Sequence, residues 1–292
     1  MSQPQQPGFF GTRPPPANAD LRLALYRGEV FLLPPTAASL ALVEYARAVL
    51  ATELQTPAVR SADLVHTLPD WFERMGRVRR ALYTDPTVHD LVRNILAAKG
   101  FDPERCAFDP PRLRVVLDRG EQVPAAAAVY ALHRDTWYAH PPSLLTWWLP
   151  LDDLAAHETF VFYPEQFAQP VANSSGDFDY AAWVADGWQR KLGWQARSTG
   201  LTASYAQAQA AGDPGPSVGF ACERGANLVF SGAHLHRTLA HQAGMTRFAL
   251  DFRVVHLDDL AAGLGAPDVD NRSRGSSVPD YVHPGRAWQA RP

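Results

Sequence analysis

The chain has 292 residues, of which 46% are hydrophobic, so it is long enough to bury a sizeable core. Its formal net charge is -3 and the charges of both signs are interspersed, which argues against binding to nucleic acid or to an anionic membrane surface. The two cysteines, Cys106 and Cys222, lack the spacing of a disulfide framework, which favours a reducing, cytoplasmic location.

Residues 1–19 are polar and rich in proline, and we expect them to form a flexible tail that can order against the domain or a partner. No basic region followed by an apolar stretch opens the chain, and no run of about 18 apolar residues occurs, so neither a secretory signal nor a membrane span is expected. Residues 20–292 are expected to form a single domain.

The elements change character along the chain. A short strand is predicted at 29–33, and helices are predicted at 37–54, 69–83 and 86–98. Short strands separated by Pro and Gly turns then follow, at 113–118, 125–132, 144–151, 159–163, 221–223, 228–230 and 247–255. This order predicts a mainly β fold with flanking helices, a double-stranded β-helix or cupin-like jelly-roll barrel.

Residues 164–217 form an insertion that is too long for a simple turn. A helix is predicted at 180–192, and the Asp213-Pro214-Gly215-Pro216 turn marks the return to the strands. The insertion is either a substrate lid or a structural helix that covers a sheet edge.

The His133-Arg134-Asp135 motif offers one imidazole and one carboxylate. In a strand, the first and third residues point to the same side, and a distant histidine would complete a face of three ligands. Two imidazoles and one carboxylate, with the opposite face open, suit Fe(II). His234 and His236 have the same strand parity, so parity alone leaves both as candidates for the third ligand.

The segment 247–253 alternates, with Phe248, Leu250 and Phe252 on one face and Arg247, Ala249, Asp251 and Arg253 on the other. A guanidinium keeps its charge and matches a carboxylate with a planar fork, so an inward Arg247 beside a metal would bind an anion. The alternative is that Arg247 and Asp251 pair on a solvated face.

Two groups of motifs occur in the same order as in a known family. HRDTWY with the strand TWWLPL, and the run 227–238 with TRFALDFR, resemble the metal and arginine strands of the phytanoyl-CoA dioxygenase-like family. The resemblance covers about residues 112–255 and is nearest to the bacterial natural-product branch that includes kanamycin B dioxygenase. It implies an Fe(II)/2-oxoglutarate-dependent dioxygenase that uses O2, oxidises a small polar, possibly aminoglycoside-like metabolite, and releases succinate and CO2.

The resemblance also implies which residues bind. Its co-substrate arginine commonly lies eleven residues after the distal histidine, which selects His236 with Arg247 and makes His234 structural. His133 and Asp135 would complete the metal site.

Relatives carry a serine two residues after the arginine, as a second donor to the 2-oxoglutarate carboxylate. This chain has Ala249 there, so that donor is expected from Thr146 or Trp148. A tyrosine at the position of Tyr138 lies near the co-substrate in relatives.

Trp137, His140 and Glu165 are assigned to the substrate, against the alternative that they are surface or structural residues. Because Asp135 is present, hydroxylation is favoured over halogenation; oxidation to a carbonyl, desaturation and ring formation stay open. Two other classes remain: a metal-dependent hydrolase or isomerase, and a barrel that binds a small ligand without chemistry. The sequence leaves the oligomeric state open, a homo-oligomer included.

Overall fold

The structure is a computed structural model, and it describes residues 8–191, 205–209 and 213–289. The helices of this part are α1 Asn18–Tyr26, α2 Ala37–Leu54, α3 Leu68–Thr84, α4 Pro86–Ala98, α5 Tyr180–Lys191 and α6 Leu257–Ala261. The strands are β1 Phe10–Gly11, β2 Val30–Leu33, β3 Cys106–Phe108, β4 Arg112–Val116, β5 Leu145–Pro150, β6 Phe160–Phe162, β7 Asn227–Ser231, β8 His236–Thr238 and β9 Arg247–His256.

Local capping signals set the bounds of the helices that precede the sheet. The Thr36 side chain accepts a hydrogen bond from the Ser39 amide and opens α2, while the Asp85 side chain accepts one from the Thr87 amide and opens α4. Proline stands in the first turn of both α3 and α4, where the missing amide is not needed. The predicted helices 37–54 and 86–98 are confirmed, and 69–83 is confirmed to within a residue at each end.

Seven strands form the main sheet, in the order β1-β2-β7-β5-β9-β3, with β4 also paired with β9. The long strand β9 lies against β5, so that Thr146 faces Arg253 and Trp147 faces Phe252. The Trp147 and Phe252 rings stack at 5.8 Å on the side covered by helices α1 to α4. The predicted alternation of β9 is confirmed, since Phe248, Leu250 and Phe252 all join this helix-side core.

A smaller layer faces the other side of the main sheet. Strands β6 and β8 pair with each other, and single bridges add His133 beside His236 and Val218 beside Phe162. Aromatic side chains fill the space between the layers; they are Trp148, Phe160, Phe162, Phe220 and Phe230. The described strands form these two open layers without closing into a ring, so the jelly-roll barrel is not confirmed beyond a mixed sheet with flanking helices.

Two predicted strands are wrong. The segment predicted at 125–132 is a 3-10 helix over Pro124–Tyr130, and the segment predicted at 221–223 contributes only the single bridge between Cys222 and Leu154. A proline opens the first segment and a run of alanines follows, which leaves little side chain to pack across a sheet.

The termini and the insertion contain further elements. From Gly8 onward the N-terminal segment is ordered against the domain, because β1 pairs with β2, and α1 begins at Asn18. The helix predicted at 180–192 is confirmed over Tyr180–Lys191, and residue 192 lies outside the described residues. Among the described residues, no helix combines the length and the apolar character needed to cross a membrane.

Candidate active site

The side chains of His133, Asp135 and His236 converge beside the smaller layer, where β8 begins at His236. Each offers an atom able to bind a metal, and these atoms all lie within 4.8 Å of one another. The His133 Nε2 atom is 3.7 Å from Asp135 Oδ1, and the two imidazole rings are 4.4 Å apart. The side chain of His133 is 19% exposed, so the cluster opens to solvent on that side.

A backbone bridge holds the two histidines opposite each other. The His133 amide donates to the His236 carbonyl, and the His236 amide donates to the His133 carbonyl, both at 3.0 Å. This exchange makes a hydrogen-bonded antiparallel pair, which fixes the register of the two side chains. The sequence predicted that His133 and Asp135 lie on one strand, and this prediction is wrong. A 3-10 helix over Asp135–Tyr138 begins directly after the bridge at His133.

The hydrogen bonds of both imidazoles leave the same nitrogen free. The His133 Nδ1 atom lies 2.8 Å from the Ala131 carbonyl oxygen, and the His236 Nδ1 atom lies 3.0 Å from the His234 carbonyl oxygen. Because a carbonyl only accepts, each Nδ1 carries the proton and each Nε2 presents a lone pair. Burial lowers the pKa of His236 to about 4, which keeps this ring neutral and able to bind a metal.

Both oxygens of the Asp135 carboxylate are held by neighbours. The Thr146 hydroxyl donates to Oδ2 at 2.6 Å, and Arg253 Nη2 donates to Oδ1 at 3.2 Å. Burial alone would raise the pKa of Asp135, but the Arg253 guanidinium opposes it, and that pKa lies well below its usual value. The carboxylate is therefore charged and fixed in one orientation.

Arg253 belongs to a buried network of charges that we did not assign from the sequence. Its guanidinium lies within 3.6 Å of Asp109 and of Asp251, in addition to Asp135. Arg114 donates to Asp251 at 2.8 Å. The signal for Arg253 was present, since it shares the polar face of β9 with Arg247, but its acidic partners are distant in the sequence.

Arg247 differs from Arg253 although the two lie on one face of one strand. It is 2% exposed, and its Nε and Nη1 atoms have no hydrogen-bond partner among the described residues. Burial lowers its pKa to about 10. The alternative pairing with Asp251 is not formed, because Asp251 is bonded to Arg114 and lies beside Arg253.

The other expected co-substrate residues are separated by the fold. The Thr146 hydroxyl is committed to Asp135, so it is not free to donate beside Arg247. The ring of Trp148 lies 5.8 Å from the guanidinium carbon of Arg247. Tyr138 lies near the metal cluster, with its ring 5.6 Å from that of His133 and its hydroxyl donating to the Ala206 carbonyl at 2.8 Å.

The expected substrate residues do not gather in one place. Trp137 is fully buried and donates through Nε1 to Asp270 at 2.8 Å. His140 is also buried, with Nδ1 at 2.8 Å from the Tyr281 hydroxyl. Glu165 is exposed to solvent. The first two side chains therefore anchor the C-terminal segment, and the third fits its surface alternative.

Asp270 ties the metal-binding loop to that C-terminal segment. Besides Trp137, its carboxylate accepts hydrogen bonds from Arg134 Nε at 3.1 Å and from the Val171 amide at 2.9 Å. Asn173 donates to its backbone carbonyl at 3.0 Å. Arg134, the middle residue of the metal motif, is thereby fixed with its side chain pointing away from the cluster.

His234 does not join the metal cluster. It lies in the turn between β7 and β8, so it does not share a strand with His236 as the parity argument assumed. Its ring lies among phenylalanines, 4.5 Å from Phe167 and 5.5 Å from Phe162. Burial lowers its pKa to about 3.

No family model and no curated protein matches the chain. Among solved structures, EvdO2 from Micromonospora carbonacea var. aurantiaca is 14% identical with a TM-score of 0.47, over 84% of this chain and 94% of that one. The non-heme α-ketoglutarate-dependent epimerase SnoN from nogalamycin biosynthesis is 16% identical with a TM-score of 0.40, over 80% and 81%. The non-heme monooxygenase ThoJ is 14% identical with a TM-score of 0.42, over 81% and 77%.

Two of these neighbours have been solved with ligands, EvdO2 with 2-oxoglutarate and SnoN with Fe3+, α-ketoglutarate and nogalamycin RO. All three TM-scores are below 0.5, so we base the function of this chain on its own site residues.

Proposed function

We propose that the protein is an Fe(II)- and 2-oxoglutarate-dependent oxygenase that oxidises a small polar metabolite. One observation carries the proposal: a cluster of two histidines and one carboxylate shares the space between the layers with a buried arginine whose Nε and Nη1 atoms have no hydrogen-bond partner among the described residues. Aromatic contacts link the two features, since the Trp148 ring beside Arg247 lies 5.4 Å from Phe160, whose ring lies 5.6 Å from His236.

The donor set fits ferrous iron. His133 and His236 would bind through Nε2, and Asp135 would bind through Oδ1, the oxygen that faces His133. Two imidazoles and one carboxylate with an open side are typical of non-haem iron oxygenases, although the same donors also bind catalytic zinc. The metal cluster alone therefore does not separate an oxygenase from a hydrolase.

The buried arginine separates these two classes. A polar atom buried without a partner costs about 1–3 kcal/mol, so an anion that paired with the Arg247 guanidinium would recover that cost. The planar guanidinium matches a carboxylate, and we propose that it binds the distal carboxylate of 2-oxoglutarate. A hydrolase has no need for such an anion.

When bound, iron with 2-oxoglutarate and O2 supplies the oxidant: one oxygen atom goes to the substrate and the other to succinate, with release of CO2. The residues of the chain supply position. Asp135 would fill the third protein position on the metal, which favours oxygen transfer over halogenation. The exposed side of His133 is where we place the entry of the substrate. We further propose that the protein is cytoplasmic and that the two layers form the walls of a jelly-roll barrel.

The proposal is tested by adding Fe(II) and 2-oxoglutarate to the metal-free protein without oxygen. The wild-type protein should show the weak visible charge-transfer band of a chelated 2-oxo acid. His236→Ala should not, while His234→Phe should, because His234 lies among phenylalanines outside the cluster. A wild-type protein that binds the metal but never shows this band would favour the hydrolase or isomerase class.

A further inference from the structure

Tyr130 carries another of the buried polar atoms that have no hydrogen-bond partner among the described residues. This atom is its hydroxyl oxygen, which is inaccessible to solvent. Burial raises the pKa of Tyr130 to about 12, so the hydroxyl is protonated and able to donate. Tyr130 ends the 3-10 helix where a strand was predicted, and sequence reasoning gave it no role.

The backbone places this hydroxyl near the end of β4 that pairs with Arg247. Strand β4 ends at Val116, which is paired directly with Arg247, and the turn after β4 leads to Gly120. A Cβ atom added to Gly120 would lie 2.5 Å from the Tyr130 hydroxyl oxygen, so only glycine leaves room for that hydroxyl. The Arg247 charge also acts to lower the pKa of Tyr130, although burial outweighs it.

We propose that the Tyr130 hydroxyl is the second donor to the carboxylate that Arg247 binds, in the role for which this chain lacks a serine at Ala249. The inference rests on the proposed function. A carboxylate accepts through both oxygens, so a single ligand group could accept hydrogen bonds from the Arg247 guanidinium and from the Tyr130 hydroxyl at once.

The other donors near this position are less suitable. The Thr146 hydroxyl is held by Asp135, and the Trp148 ring presents its face to the guanidinium, whereas an indole donates in the ring plane. The Thr246 hydroxyl lies beside the Asp63 carboxylate, and adjacent residues of an extended chain point to opposite sides, which directs Thr246 away from the carboxylate site.

The test compares Tyr130→Phe with the wild-type protein by anaerobic titration of the Fe(II) form, following the charge-transfer band. The dissociation constant of 2-oxoglutarate should rise roughly tenfold to one-hundredfold, as expected for losing a hydrogen bond to a charged group. The dissociation constant of 2-oxobutyrate, which has the chelating end but no distal carboxylate, should not change. Tyr45→Phe is the matched control, because that hydroxyl bonds Asp85 on the helical side.

A second variant and a stability measurement test whether misfolding explains weaker binding. Gly120→Ala should weaken 2-oxoglutarate binding in the same direction, since the new methyl group displaces the hydroxyl. The unfolding temperature of metal-free Tyr130→Phe should not fall, because the hydroxyl has no partner to lose.

The outcomes separate the two proposals. If the wild-type protein binds 2-oxoglutarate and Tyr130→Phe binds it equally well, the role of Tyr130 is overturned while the oxygenase stands. If Tyr130→Phe weakens both oxo acids equally, the effect belongs to the metal end and the inference is again overturned. If the wild-type protein shows no saturable binding of either acid, the proposed function itself fails.

Discussion

Two arginines on one face of β9 should respond in opposite ways to the same substitution. In the metal-free protein, Arg247→Met removes a buried guanidinium whose Nε and Nη1 atoms have no hydrogen-bond partner in the described part of the chain. Arg253→Met instead leaves three carboxylates without their common cation, those of Asp109, Asp135 and Asp251. Methionine suits both sites, since it is unbranched and fills irregular space.

The magnitudes follow from these partners. Two unpaired donors together destabilise the folded protein by about 2–6 kcal/mol, and the cation–π contact of Arg247 with Trp148 stabilises it by about 0.5–2 kcal/mol. The fall of the Arg247 pKa from 12.5 to about 10 corresponds to roughly 3 kcal/mol, in the same range. Arg247→Met should therefore stabilise the protein by about 1–3 kcal/mol. Arg253→Met should destabilise it by about 3–5 kcal/mol, as when a buried ion pair loses one member.

The assay is urea unfolding of both variants after removal of metal with a chelator, followed by circular dichroism. The free energies of unfolding of the two variants should differ by about 4–8 kcal/mol. With metal present throughout, 2-oxoglutarate at one hundred times its wild-type dissociation constant should stabilise the wild-type protein by about 2.7 kcal/mol and stabilise Arg247→Met by much less. If Arg247→Met is as damaging as Arg253→Met, Arg247 has a partner within the protein and is not reserved for an anion.

Two further predictions concern the metal cluster and the buried histidine. Thr146→Val removes only a hydrogen-bond partner of Asp135 and should raise the dissociation constant of Mn(II) or Fe(II) roughly 10–100-fold. Asp135→Gly should raise it by more, because it removes a ligand. Full hydroxylase activity in Asp135→Gly would show that Asp135 is not a ligand. The pKa of His234 is about 3 in the folded protein against an ordinary 6.5, so only the unfolded chain gains this proton as the pH falls between those values. The wild-type protein should therefore lose about 1.4 kcal/mol per pH unit more than His234→Phe between roughly pH 5.5 and 4, and parallel stability curves would contradict the burial of a neutral ring.

Local signals made much of the fold predictable. The bounds of α2 and α4 followed from capping residues within the same turn. The alternation of β9 followed from the period of a strand. The convergence of His133, Asp135 and His236 agrees with the motif spacing.

The remaining features depend on contacts between residues far apart in the sequence. Arg253 and Asp135 are separated by 118 positions, and nothing near either residue indicates that they meet. The commitment of Thr146 to Asp135 likewise comes from the way β5 lies beside the metal loop. The segment that ends at Tyr130 is apolar, which predicts a strand, but its proline and alanines pack poorly across a sheet, and its contact with Gly120 gives no local signal.

Asp270 makes the irregular C-terminal segment part of the architecture of the cluster. Its carboxylate joins Arg134 and Trp137, which flank Asp135, to the backbone of Val171 in the insertion. A chain cut before residue 268 would still contain His133, Asp135 and His236, yet the loop that carries the first two would lose its hydrogen bonds to Asp270. Weakened iron affinity in such a truncation would thus arise far from any ligand, because the loop becomes more mobile and not because a donor is lost.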